Sequence, residues 1–268
     1  KSDYNRTNFR INYNNNLKKW LKTGGNIAAT ITESKQSTAD GGTSFVNPFF
    51  FSRGMGPIFP VYAHDPANPG SFLLRDGKKF YDYGNMSALG LPNRPQYGGR
   101  HAIAETELNE DFYRRNVLNY RGYIEISFLK DFKFTTNAGL DISNQNYVTF
   151  GNPEIGDGAP AGRTTHEFSN NTNFNLNQLL NYTKSFGVHN ISVLLGHESF
   201  ERRANFVSVS KSQQSLEGNI QLPNFATLTG GSGYLDRYKL EGYFSRINYD
   251  FNDKYFASFS VRRDGSSK

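Results

Sequence analysis

The stretch of this 268-residue sequence richest in side chains able to bind something is NPFFFSRGMGPIFPVYAHDPANPGSFLLRDGKKFYDYGN, residues 47–85. Phe49, Phe50, Tyr62, Phe80, Tyr81 and Tyr83 offer aromatic faces for sugar rings or a partner protein. Arg53, His64, Asp65 and Asp76 offer hydrogen bonds to a polar ligand. Binding residues concentrate on loops carried by a rigid scaffold. The same aromatic residues also suit a small core that ties such a loop to itself. For any single residue, sequence favours that second reading.

Catalytic patterns are missing. His64-Asp65 and His197-Glu198 are adjacent pairs without a third ligand at a diagnostic spacing, and no HExxH occurs. Glu154 and Asp157 sit in a Gly/Pro-rich stretch with nothing to fix their geometry for acid/base work. Glu105, Glu107 and Asp111 form a carboxylate group of the kind that takes Ca²⁺, although a solvated loop face accounts for them more simply. GNPEIGDGAPAG (residues 151–162) lacks the GK[ST] ending and the following helix of a phosphate loop, and reads as a flexible rim loop. No catalytic residue, metal site or cofactor is expected. An enzyme is the least supported reading.

The elements that carry these residues have a period of two. In FKFTTNAGLDIS (residues 132–143), Phe132, Phe134, Thr136, Ala138, Leu140 and Ile142 share one face, and Lys133, Thr135, Asn137, Gly139, Asp141 and Ser143 the other. That is the signature of a strand between two unlike surroundings. The same alternation recurs around Phe9, Ile27, Ile124, Phe174, Ile191, Ile247 and Phe259, giving eight candidate strands in four pairs. Helical periodicity is confined to HAIAETELN, residues 101–109.

Connections within pairs are short (17–24, 129–131, 184–188, 250–254), and those between pairs are long (35–111, 151–162, 210–235). Loops beyond about 12–15 residues are uncommon in compact soluble domains. A transmembrane β-barrel alternates short periplasmic turns with long extracellular loops as a matter of course. Several strands exceed the roughly 9–11 residues that a spanning strand needs, so their outer ends would stand in water. Tyr182, Tyr249 and Tyr255 flank the short turns, where an interfacial aromatic girdle belongs.

Composition agrees with this. Hydrophobic residues make up 36% and aromatic residues 15%, so the chain is too aromatic for disorder and too polar for a large buried core. No apolar run approaches the roughly 20 residues of a membrane helix, and the opening KSDYNRTNFR lacks the apolar centre of a signal peptide. Cysteine is absent, which excludes disulfides and thiolate metal sites. The net charge of +6 is scattered rather than clustered, so no nucleic-acid partner is expected.

Three spaced segments are more specific. LEGYFSRINYDFNDKYFASFSVRRDGSSK (residues 240–268) resembles the recurrent barrel hairpin of SusC/RagA-like TonB-dependent outer-membrane transporters, with its R-x-N-Y strand end, D-K-Y turn and R-R-D-G-S-S strand end. LLNYTKSFGVHNISVLLGHE (residues 179–198) resembles a second family hairpin, and residues 120–140, with an L-K-D-F turn, a third. The resemblance covers most of the chain from about Asp111 onward, and the hairpin at residues 8–32 fits the same order.

The resemblance implies an all-β fold: a section of an antiparallel transmembrane β-barrel, about eight strands of a barrel of about 22. Residues 1–268 would belong to that barrel, with 35–111 as a long extracellular loop and the plug domain and remaining strands outside this sequence. It implies import of oligosaccharides or peptides across the outer membrane of a Gram-negative bacterium. The partners would be a SusD-like surface lipoprotein, membrane lipid, and the TonB complex acting through the plug. Arg10, Lys133, Asp141, Arg246 and Arg262 would face the lumen, packing against the plug or tuning the passage of solutes. A passive porin-type barrel and a soluble all-β adhesin or carbohydrate-binding sandwich remain the alternatives.

Overall fold

The computed structural model describes residues 3–35 and 45–268; residues 36–44, at the start of the long 35–111 connection, lie outside the described residues, as do Lys1 and Ser2. Eight long strands form one sheet: β1 (Asp3–Lys18), β2 (Leu21–Lys35), β5 (Glu110–Phe128), β6 (Phe132–Gly151), β7 (Arg163–Phe186), β8 (His189–Gln214), β9 (Phe225–Phe251) and β10 (Tyr255–Ser266). The order β1-β2-β5-β6-β7-β8-β9-β10 keeps sequence neighbours side by side, and every pairing is antiparallel. The long connection carries α1 (Pro48–Gly54), the two-residue strands β3 (Leu74–Arg75) and β4 (Lys78–Lys79), and α2 (Ala102–Leu108).

The hairpins close as the sequence predicts. Phe128 pairs with Phe132 across a turn in which Leu129 and Lys130 both take positive φ, and Phe251 pairs with Tyr255 across Asn252 and Asp253, which do the same. Asn and Asp tolerate that left-handed geometry well. The first turn is tighter than the expected 17–24: β1 runs to Lys18 and β2 resumes at Leu21. The expected 210–235 connection is also too long, since β9 begins at Phe225. Its first residues, FATLTGGSG, carry little side-chain pattern, and backbone pairing with β8 holds them in the sheet.

Register sorts the side chains into two faces. Arg10, Ala28, Asn119, Asp141, Asn173, Arg202 and Tyr238 lie in one cross-strand row. Lys133, Asn181, Leu194, Arg246 and Ser260 form a second row on the same face, and Arg262 stands one row above on β10. All five residues expected toward the lumen therefore share one face. It is rich in amides and ion pairs: Arg121 Nη2 meets Asp141 Oδ2 at 2.7 Å, and Glu125 takes Lys22 at 3.1 Å and Lys133 at 3.7 Å.

The opposite face carries an apolar band that crosses the register obliquely. Val261, Ser245, Leu195, Leu180, Phe134, Ile126 and Leu21 form one hydrogen-bonded row. In β10 this row is the upper limit of the band, because Arg263 comes next on that face. In β2 the same row is its lower limit, and Ile27, Ala29 and Ile31 continue upward until Glu33. A horizontal band crossing tilted strands does this, and barrel strands tilt by about 35–45°. Along β6 the band runs from Phe132 to Ile142 and ends at Asn144, close to the length that a spanning strand requires. Above it the face turns polar, with Arg114 and Glu33 paired at 3.2 Å.

Rings gather at the short-turn end: Phe132 lies 4.7 Å from Tyr182, Phe128 stacks on Phe132 at 5.4 Å, and His189 stacks on Tyr249. His197 sits well inside β8. It stacks on Tyr243 at 4.7 Å, with its ring nitrogens 3.0 Å from Gln178 and 3.3 Å from Glu241. Because β8 continues to Gln214, the position marks the upper edge of the apolar band and not the end of the strand. Among the described residues, no helix is long and apolar enough to cross a membrane.

Candidate functional site

Above the sheet the connection preceding β5 folds into a cap with its own core. Ala63, Tyr83, Met86, Ala104 and Ile155 are buried together, and Leu73, Phe80, Tyr81, Leu91 and Leu108 pack against them. Two short helices frame it. Asn47 starts α1 by accepting from the Phe49 and Phe50 amides at 3.0 and 3.3 Å, with Pro48 suited to the first turn. His101 starts α2: its Nδ1 accepts from the Ala104 amide at 3.2 Å while Glu105 reaches back to the His101 amide at 3.0 Å. This is a variant of the capping box, with imidazole in place of the usual hydroxyl and the returning carboxylate one position later than usual.

The connection between β6 and β7 (residues 152–162) completes the cap, which corrects its reading as a flexible rim loop. Ile155 is only 1% exposed, at the centre of the core. The Asn152 side chain shapes the approach by accepting from the Glu154 and Ile155 amides at 2.8 and 3.0 Å. Ion pairs sew the two connections together: Arg75 to Glu154 at 2.6 Å, and Arg100 to both Glu105 (3.0 Å) and Asp157. A single isoleucine among glycines and prolines gave sequence reading little to weigh.

The carboxylate group Glu105, Glu107 and Asp111 is dispersed. Glu105 is buried against Arg100, Glu107 accepts from the Tyr81 hydroxyl at 2.9 Å, and Asp111 accepts from the Tyr147 hydroxyl at 3.0 Å. The expected solvated face therefore fails for Glu105, whose carboxyl burial pushes above the usual range despite the His101 amide and Arg100. Among the described residues, no three His, Asp or Glu side chains gather to hold a metal ion.

Of the ten candidate binding residues, Asp76 is exposed in the turn between β3 and β4, and the other nine divide by place. Tyr83 is buried, its ring 5.1 Å from that of Phe80, and burial raises its hydroxyl pKa to about 12. Tyr81 stacks on Tyr62 at 5.2 Å and lies tilted against His101 at 4.8 Å, and burial followed by Glu107 raises its pKa. Asp65 holds a turn, accepting from Asn68 Nδ2 at 2.7 Å and the Ala67 amide at 2.9 Å, which lowers its carboxyl pKa. Phe50 packs on Phe45 at 5.6 Å and near Tyr97.

Four of the nine face solvent to different degrees. Phe49 is 80% exposed, Arg53 and His64 are exposed, and Tyr62 is half-buried beneath Lys79. His64 and Tyr62 both lean on Phe72, at 5.0 and 6.0 Å, so Tyr62, His64, Phe72 and Lys79 form one surface strip. Phe72 and Lys79 were not singled out from the sequence; the bridges Tyr62 to Tyr81 and His64 to Phe72 bring them there. Below the cap, the inner wall has a shallow groove of about 730 Å³ lined by Asn12, Asn26, Arg121, Asn137, Asn177 and Glu198, among others.

The His101 cap should make the assembly pH-sensitive. Burial holds its imidazole pKa below the unfolded value of 6.5, so the unfolded cap binds the proton more readily. Its contribution is complete above that value and is lost as pH falls through the lower folded pKa. Limited trypsin cleavage within the cap should therefore accelerate between pH 7.5 and 5.5. His101→Asn keeps a capping acceptor without a titrating proton and should flatten the profile; an equally steep profile in that variant would refute the assignment.

No family profile matches this chain. It is 33% identical over 179 residues to the TonB-dependent receptor P3 of Formosa agariphila, a span covering 62% of this chain and 17% of that protein. It is 24% identical over 250 residues to the TonB-dependent receptor SusC of Bacteroides thetaiotaomicron, covering 91% of this chain and 24% of that one. The chain is similar in sequence to SusC-like TonB-dependent receptors. Its fold agrees: the chain superposes on a chain of the RagAB peptide transporter with a TM-score of 0.70 at 19% identity, covering 99% of this chain and 28% of that chain. The segment thus spans about a quarter or less of the length of the relatives it matches.

Proposed function

We propose that this segment is part of the wall of an outer-membrane receptor that imports a nutrient under TonB control. The long connections face the exterior, so that 35–111 is an extracellular loop, and the short turns face the periplasm. The observation that carries the reading is the two-faced sheet, with an oblique apolar band on one face and amides and ion pairs on the other. A closed barrel in lipid gives both faces their solvent. The likeness to receptor P3 and to SusC supports TonB dependence.

On this reading the cap stands outside the cell, and Phe49, Arg53, Tyr62 and His64 meet either the substrate or a SusD-like lipoprotein. Phe50, Asp65, Phe80, Tyr81 and Tyr83 keep the cap in shape. The substrate is an oligosaccharide or a peptide: exposed rings stack on sugar faces and on apolar side chains alike, and the fold neighbour is titled a peptide transporter. A plug outside this sequence would receive the pull of TonB.

Uptake of labelled oligosaccharides and peptides by cells carrying the full-length receptor tests this. Uptake should require both TonB and the partner lipoprotein. Equal uptake without TonB would identify a passive channel and overturn the proposal.

A further inference from the structure

On the outward face above the apolar band, β8 and β9 place Arg203 directly opposite Arg237, with Lys239 at the next outward position of β9. Like charges directly opposite each other on a sheet are destabilising. Glu201 takes Arg203 Nε at 2.8 Å and Lys239 Nζ at 3.1 Å. Arg237 is exposed and has no ion-pair partner among the described residues. The adjoining outward residues on β7, Thr172 and Phe174, are uncharged, and Glu241 is engaged by His197 and Tyr243. Three cations thus share the paired Glu201 and the neighbouring Glu241, which His197 and Tyr243 already engage, on the outside of the barrel.

What lies beneath decides what fits. The same face of the same strands carries Tyr243, Leu195, Val193 and Ile247 below this group, and Arg263 of β10 stands at the band's upper edge. A cationic patch above a lipid-facing band lies where anionic headgroups sit, and long basic side chains reach down to them. Arginine matches phosphate with paired, charge-assisted hydrogen bonds. We propose that Arg203, Arg237 and Lys239 bind the phosphate of an outer-leaflet glycolipid, which supplies the anion that this cross-strand arginine pair requires. The site is independent of substrate import and needs only the barrel's orientation, long loops outward.

The test titrates the full-length receptor in neutral detergent with bisphosphorylated lipid A, with phosphatidylcholine and with inorganic phosphate, using native mass spectrometry. Lipid A should bind, and the triple variant R203Q/R237Q/K239Q should weaken it roughly a hundredfold, about fivefold for each cation removed. R202Q, one residue away on the inner face, should leave binding unchanged, as should millimolar inorganic phosphate. If the triple variant does not fold, R237Q alone should give the fivefold loss. Undiminished lipid A binding by a folded triple or R237Q variant would overturn the proposal, and so would displacement by inorganic phosphate alone. TonB-dependent uptake should persist in the triple variant, which separates a failure here from a failure of the import reading.

Discussion

Ala138→Arg is expected to destabilise the barrel in lipid by about 2–4 kcal/mol, while Asn137→Arg, one residue earlier, costs less than about 1 kcal/mol. Ala138 lies mid-band on β6, in register with Gly122 of β5 and Leu176 of β7. An arginine there has lipid around it and cannot reach either interface without distorting its neighbours. Asn137 points the other way, exposed on the inner face, where its amide donates to Asn177 at 3.2 Å. An arginine at that position enters a polar groove. Urea unfolding of the full-length protein in vesicles measures both. Equal costs would mean that the two faces do not meet different solvents.

The second large effect concerns the cap. Ile155→Asp should open it, at a cost of about 4 kcal/mol or more: burial worth about 2–3 kcal/mol is lost and a carboxylate gains no buried partner. Ile155→Val, which removes one methylene, should cost about 1 kcal/mol. Because the core of the cap is separate from the strand pairings, the sheet should survive while trypsin gains access to Arg53, Arg75 and Lys79. Protection unchanged in Ile155→Asp would show that the two connections fold independently.

The strands were legible because each alternates between two surroundings, and alternation is written one residue at a time: FKFTTNAGLDIS is enough to assign both faces of β6. The inward set Arg10, Lys133, Asp141, Arg246 and Arg262 followed from the same rule. The rule fails where side chains carry no contrast, as in the Gly- and Ser-rich start of β9. The tilt of the band was not legible either, since it belongs to register across strands and not to any one of them.

The cap was legible only in part. HAIAETEL announced α2, and the self-packing reading of Phe80 and Tyr83 suited their chemistry. That Glu105 is buried, and that Ile155 arrives from another connection to close the core, depend on contacts between segments far apart in the chain. The arginine pair above the apolar band has the same character, since Arg203 and Arg237 meet only through pairing of β8 with β9.

The central claim is that one face of this sheet meets lipid over a limited height. The described chain contains no cysteine, so single-cysteine spin labels along β6 in the full-length protein, with any other cysteine replaced, give a clean reading. With the receptor in bilayers, collision with oxygen should exceed collision with a polar nickel complex at residues 134, 136, 138, 140 and 142. The reverse should hold at 133, 135, 137, 139 and 141, and the oxygen preference should end by residue 144. Accessibility without a two-residue period, or an oxygen preference that continues unchanged to residue 150, would contradict the account.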